Sequence, residues 1–229
     1  LYIKGLLEDS GGKIWILSRA VGLTRFDPQQ KTLTYYRRVE FGDDSGISDF
    51  TINSILEDSR NTIWIATGGG GLNRFNKKDN SFSHFGHDPE NPNSLSHNTL
   101  NSIYEDREGN LWIATEGGGM SRYDPIQNRF TNYLHDPQNN SGISSNFVNR
   151  ICPDPRKGNE LLWISTGVSG LSLFNKRAQT FTHILRDNRA LQKSSWELTR
   201  LQLDGKGNLW MISREQDLLK ITTKPAIKS

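Results

Sequence analysis

Residues 101–124 read NSIYEDREGNLWIATEGGGMSRYD, and the rest of the chain is built from variants of this stretch. KGLLEDSGGKIWILSRAVGLTRFD starts at Lys4, NSILEDSRNTIWIATGGGGLNRFN at Asn53, NRICPDPRKGNELLWISTGVSGLSLFN at Asn149, and TRLQLDGKGNLWMISREQDLLKIT at Thr199. The central tryptophans, Trp15, Trp64, Trp112, Trp163 and Trp210, lie 49, 48, 51 and 47 residues apart. Five copies at a period near 48 residues describe an array of supersecondary units.

Each unit reads as four short strands. In the third, residues 100–105 alternate large and polar side chains. Residues 106–110 are turn formers, and residues 111–115 form an apolar run suited to a strand covered on both faces. A glycine-rich turn at 116–119 precedes a strand at 120–124, and a further turn leads to one at 129–133. Four antiparallel strands per repeat at this period predict the blades of an all-β propeller. The blades span about 2–36, 51–85, 99–133, 147–184 and 198–222, so the whole chain, 1–229, is one partial propeller. The fifth blade lacks an outer strand. An arc of a larger propeller is the preferred reading; a compact ring of five blades is the alternative.

The repeated indole is the expected wedge between blades, since a buried Trp hides roughly 150–250 Å² of surface. Glycines 22, 71, 119 and 170 precede the third strand of their units, where a positive φ is expected. Unit 4 departs from the pattern: its first turn is three residues longer, and Pro153 and Pro155 predict a shortened or bulged first strand. The acid pairs Glu8-Asp9, Glu57-Asp58 and Glu105-Asp106 recur in successive units. A catalytic site is normally built once, so repetition assigns them to the turn.

At 229 residues and 34% hydrophobic, the chain is long enough for a sizeable core. Its 28 basic and 25 acidic side chains leave a net charge of +3. With no basic cluster interleaved with aromatics, no nucleic-acid contact is expected. Cys152 is alone and reads as a small buried apolar residue. No apolar run approaches the roughly 18 residues of a membrane span. The opening on Leu1, directly at a first strand, reads as a segment of a longer protein. No nucleophile elbow, phosphate loop or paired-histidine zinc motif occurs. No catalytic residue, metal or cofactor is expected.

Residues 54–76 followed by 82–115 resemble the two-component regulator propeller repeat. The likeness runs through all five units and is strongest in the second and third. It implies large propellers, commonly two of seven blades in tandem, in the periplasmic sensor region of hybrid histidine kinases from gut bacteria that degrade polysaccharides. A small β-sandwich, a membrane helix, a kinase core and often receiver and DNA-binding regions follow in that family. The resemblance therefore implies a periplasmic segment that senses a ligand or transmits a signal. Membrane attachment and phosphoryl chemistry would lie elsewhere in the parent chain. Expected partners are an oligosaccharide, further blades or a second propeller of the same protein, and a homodimer partner.

With the first strand innermost, the loops joining successive blades share one face with the turns between second and third strands. Long loops on a rigid scaffold are where binding residues concentrate. The turns contribute Arg19, Glu116 and Arg214 at a position that is glycine in units 2 and 4. The inter-blade loops contribute Asp43, Asp44, His87, His135 and Trp196. Phe50 and Phe147 stand at the starts of first strands. Aromatics, carboxylates and arginines together suit an oligosaccharide, a charged one included, and these eight polar and aromatic residues are the candidate ligand site. His84 and His183 share one outer-strand position and read as surface residues. A protein-binding scaffold is the second functional reading, and a propeller lyase or hydrolase the third.

Overall fold

The computed structural model describes residues 3–18, 21–154, 160–167, 170–184, 198–204, 208–213 and 218–221. The chain divides into two compact units, Leu1–Asn132 and Tyr133–Ser229. Every regular element among the described residues is a strand.

The first sheet contains β1 (Ile3–Glu8), β2 (Ile14–Ser18), β3 (Gly22–Asp27) and β4 (Thr32–Tyr36). The second contains β5 (Ile52–Glu57), β6 (Ile63–Thr67), β7 (Leu72–Asn76) and β8 (Ser81–Phe85). The third contains β9 (Leu100–Glu105), β10 (Leu111–Thr115), β11 (Met120–Asp124) and β12 (Arg129–Tyr133). In the second unit lie β13 (Val148–Pro153), β14 (Leu161–Thr166), β15 (Gly170–Asn175) and β16 (Thr180–His183). They are followed by β17 (Leu198–Leu203), β18 (Leu209–Ser213) and β19 (Leu218–Ile221). Each sheet is an antiparallel meander in chain order, with three strands described in the fifth. This is the all-β, blade-by-blade architecture of a propeller. The first strands of neighbouring sheets approach one another, β5 with β9 in the first unit and β13 with β17 in the second, as innermost strands must.

Three of the tryptophans, Trp15, Trp64 and Trp163, are wedges between sheets. Trp15, fully buried on β2, meets Phe75 of the second sheet edge-on, with ring centroids 5.0 Å apart. It also shares a core with Ile63, Ile65 and Phe82. Trp64 repeats this against the third sheet, with Tyr123 at 5.3 Å and Leu111, Ile113 and Phe130 alongside. In the second unit Trp163 packs on Leu209 and Met211 of the fifth sheet. Opposite the indole across the sheet stands a cation. Arg25 pairs with Trp15, and its guanidinium lies 5.6 Å from the Trp15 ring and 5.5 Å from Phe75. Arg74 does the same 6.0 Å from Trp64, and Lys220 at 5.3 Å from Trp210. At these distances the charge is attracted by the ring quadrupole while its stem covers apolar surface.

A buried indole N–H needs an acceptor, and the acid pair supplies it. Asp9, Asp58, Asp106 and Asp204 each accept the N–H of the tryptophan six residues later, at 2.8, 2.8, 2.7 and 2.9 Å. The other carboxylate oxygen of Asp58 accepts the amides of Arg60 and Thr62 and so fixes the turn. The glutamate beside it faces the neighbouring sheet. Glu57 accepts Ser10 through both amide and hydroxyl at 2.6 Å, and Glu105 accepts Ser59 at 2.8 and 2.6 Å. Lys77 closes on Glu57 and comes within 3.9 Å of Asp9. The pairs belong to the turn, as repetition suggested, and the glutamate also ties one blade to the next.

The fourth sheet departs from this design differently from expectation. β13 is six residues long and pairs to Pro153 opposite Leu162, so the proline ends the strand without shortening it. Its bulge, between Val148 and Arg150, recurs near the start of the first strand in every sheet, as at Ile52/Ser54, and is not caused by proline. Pro155 lies outside the described residues. With the longer turn, the buried Trp163 N–H has no hydrogen-bond partner among the described residues. Leu173 replaces the cation opposite it. Trp210 is half-buried, unlike Trp15, Trp64, Trp112 and Trp163.

Gly22, Gly71, Gly119 and Gly170 have φ of 77°, 76°, 69° and 77°. At Gly71 a Cβ would also stand 2.3 Å from the carbonyl oxygen of Phe85, so glycine is required twice over. The first sheet carries the same aliphatic positions that receive a wedge elsewhere. Leu6 and Leu33, counterparts of Ile55 and Phe82, are 63% and 48% exposed.

Removing the wedge and removing its acceptor should separate in magnitude. Trp64→Ala is expected to cost about 3–5 kcal/mol, and Asp58→Ala about 1–3 kcal/mol for the stranded N–H. Denaturant unfolding of the two variants measures both, and equal losses would refute the wedge role. The acids also set the pH response. Burial alone would raise the carboxyl of Asp9, but the Trp15 indole, the amides of Lys13 and Gly11, and Lys77 outweigh it and hold it below its usual range. Burial is likewise overcome at Glu57 by Lys77 and Ser10. Both folded pKa values lie below the unfolded ones. Their stabilisation is therefore present above the ordinary carboxylate value of about 4 and is lost as pH falls through the folded value. Thermal melts across acid pH should show a Tm that drops below about pH 4. In Glu57→Gln that limb should be flatter and the Tm at neutral pH lower.

Candidate functional site

The inter-blade loops and the turns between second and third strands lie together. In the first unit the Gly68 amide donates to the Thr51 carbonyl at 2.7 Å, Gly71 to Asn98 at 2.9 Å and Glu116 to Thr99 at 3.0 Å. In the second unit Gly167 donates to Phe147 at 2.9 Å. The face expected from strand order is thus one hydrogen-bonded surface in each unit.

Three loops on that face are described, the first at 37–51, the second at 86–99 and the third at 134–147, and all three are held to a sheet. Each drapes over the outer strand of the following sheet, where the amides of Phe82, Phe130 and Phe181 donate to Asp44, Asn93 and Ser141. Each also sinks one aliphatic anchor, Ile47, Leu95 or Ile143, into the protein. A chain of polar side chains locks the arrangement. Ser96 bonds Ser121 at 2.8 Å, Ser121 donates to Asn132 at 2.7 Å, and Asn132 returns to the Ser94 carbonyl at 2.9 Å. In the second unit the equivalent chain runs Ser144, Ser172, His183 and the Asn140 carbonyl. His84 serves the first loop. Its Nε2–H donates to Gly46 at 3.0 Å and its Nδ1 accepts the Gly42 amide at 3.2 Å. His84 and His183 are loop clamps, not idle surface groups. Only the short SGIS and NSLS patterns point to this, because each loop partner lies 25 to 43 residues from the side chain that holds it.

The expected ligand residues distribute as follows. Arg19, Trp196 and Arg214 lie outside the described residues. Glu116 is exposed, beside a turn whose Gly117 faces the His97 ring. Asp43 and Asp44 are exposed on the first loop. Asp43 accepts the Ser45 amide at 2.9 Å, and the Ser45 amide and hydroxyl hold its carboxyl below the usual range. His87 and His135 have matching roles in their own loops. Each donates Nδ1–H to a loop carbonyl, Leu95 at 2.8 Å and Ile143 at 2.7 Å. Their Nε2 atoms remain acceptors. Among the described residues, no three metal-ligating side chains come together.

An open cleft of about 300 Å³ lies between the first and second loops and the outer edge of the third sheet. Phe41, His84 and Phe85 line it from one direction, and His87, Asp88, Asn93 and Asn128 complete the polar rim. Sequence reading pointed to His87 but missed Phe41, whose loop carries no other aromatic between Tyr36 and Phe50.

The two component regulator propeller family matches residues 45–69 and 94–117. Those two stretches, in the second and third sheets and the loops before them, are similar to the repeat of that family. Comparison with curated protein sequences gives no match. Among solved structures, one extracellular domain from B. thetaiotaomicron, assigned to a hybrid two component system, is similar in fold. Its TM-score is 0.77 at 23% identity over 97% of this chain and 29% of that one. Another such domain from the same organism is 28% identical over 96% of this chain and 31% of its own length, with a TM-score of 0.73. Virginiamycin B lyase from Staphylococcus aureus shares the fold at 15% identity and TM-score 0.62, over 97% of this chain and 71% of that one. The chain thus spans about a third or less of the length of the extracellular domains it resembles. Among the described residues no helix is long and apolar enough to cross a membrane.

Asn132→Ala should release the second loop. Hydrogen exchange at the Phe130 amide, which donates to Asn93, is expected to accelerate, with about 1–3 kcal/mol lost. Unchanged exchange would mean that the aliphatic anchor alone holds the loop.

Proposed function

We propose that this chain is a ligand-sensing or signal-transmitting propeller segment of a two-component sensor, situated outside the cytoplasmic membrane in the periplasm. Its ligand is an oligosaccharide from polysaccharide breakdown. The observation that carries this reading is the two-component regulator repeat in the second and third sheets, joined to the likeness to extracellular domains of such systems. The loop face supplies the means. Its carboxylates, amides and imidazoles are held at fixed positions by a rigid scaffold, and a preorganised polar surface loses little on binding a hydroxyl-rich ligand.

The segment is read as non-enzymatic, with kinase chemistry assigned to other parts of the parent protein. Occupancy would act by favouring one arrangement of propellers or of a dimer over another, through unequal affinity for the two. The second reading, a protein-binding scaffold, draws on the first sheet. Its exposed Leu6 and Leu33 suit a further blade or a second propeller of the same protein.

Calorimetric titration of the complete extracytoplasmic region against a panel of oligosaccharides tests the reading. At least one is expected to bind, and Glu116→Ala to weaken it. Absence of heat with every member would overturn sugar sensing and favour the scaffold.

A further inference from the structure

From the cleft beneath Phe41 we infer a binding site for a single neutral sugar ring, at the seam between the second and third sheets and apart from the Glu116 turn. The inference rests on the oligosaccharide reading above and adds to it a subsite for one ring of a chain whose contact at Glu116 that reading already tests.

Phe41 is 60% exposed, yet it is not a stray surface residue. Its ring lies 5.6 Å from that of His84, whose Nδ1 accepts the amide of the next residue, Gly42. Gly86 leaves room for it: a Cβ there would stand 3.0 Å from the ring atoms Cε2 and Cζ. The corresponding stretches of the other loops, HDPENP and HDPQNN, hold no aromatic. The ring is an apolar plate in the lining of a polar cleft, packed beside His84 and Gly86 and added to a loop design that otherwise lacks one.

The facing groups have the chemistry of hydroxyl recognition. The Nδ1–H of His87 is committed to the Leu95 carbonyl, which leaves Nε2 as a lone-pair acceptor. Tyr123 donates its hydroxyl to the Asn128 Oδ1 at 2.7 Å, so the Asn128 amide presents its N–H groups. Asn93 gives its backbone carbonyl to Phe130 and keeps its side-chain amide for a ligand. Asp88 accepts the Glu90 amide through one oxygen and offers the other. Two donors, two acceptors and an aromatic plate match the edge and the C–H face of a pyranose. The volume sits at the lower end of the roughly 300–1,000 Å³ usual for ligand sites, which limits the cleft to one ring. Asp88, and Asp43 and Asp44 nearby in sequence to Phe41, disfavour an anionic sugar.

Binding is read by NMR on the complete extracytoplasmic region with selectively labelled Phe and His. The probes are methyl glucoside, methyl galactoside, methyl mannoside and methyl glucuronide. At least one neutral glycoside should shift the Phe41 and His87 signals, and the glucuronide should bind more weakly. Phe41→Ala should weaken binding about tenfold, while Phe41→Trp, which keeps the plate, should preserve it. No shift from any neutral glycoside, equal binding by Phe41→Ala, or preference for the glucuronide would each overturn the proposal. Oligosaccharide heat that survives Phe41→Ala unchanged would place the sensing site elsewhere. It would leave the sensor function standing while removing this cleft from it.

Discussion

An indole buried at a seam brings an N–H that must find an acceptor out of water. In this protein the acceptor is a turn aspartate six residues earlier, and much else follows from that one bond. One carboxylate oxygen takes the tryptophan and the other takes two turn amides. The residue that closes the hairpin therefore also aims the wedge. At Asp9 these donors, with Lys77, outweigh burial and hold the carboxyl below its usual range. The neighbouring glutamate then reaches the adjacent sheet, so a two-residue motif carries turn, packing and junction together.

The fold was legible because its periodicity is local. The four-strand rhythm is complete within one repeat, and the wedge tryptophans and positive-φ glycines declare themselves by recurring at its period near 48 residues. What stayed hidden depends on partners a full repeat away. Nothing in the sequence near Glu57 announces Ser10, and nothing near His84 announces the Gly46 carbonyl. Pro153 misled in the other direction: a missing donor harms a strand only where that donor is needed, and here it falls at the strand's last pair.

The candidate site was legible in part. Strand order alone predicted that inter-blade loops and turns share a face, and they do. The described loops, however, are tied to the sheets by an aliphatic anchor and side-chain hydrogen bonds. Their exposed groups are displayed on fixed backbone. Phe41 escaped notice because an isolated aromatic in a polar loop acquires meaning only from the glycine and histidine that hold it, 43 to 45 residues on.

The junction between sheets has a direction. The second sheet offers Trp64 to the third on one side and receives Trp15 among Ile63, Ile65, Phe75 and Phe82 on the other, so its two sides are unlike. Two copies related by a twofold axis would bring like sides together, knob against knob or hollow against hollow, and neither mates. A symmetric pair of these chains must therefore meet through some other surface, such as the loops or the outer strands. A blade that covered Leu6 and Leu33 would approach the first sheet in the head-to-tail sense in which the first approaches the second.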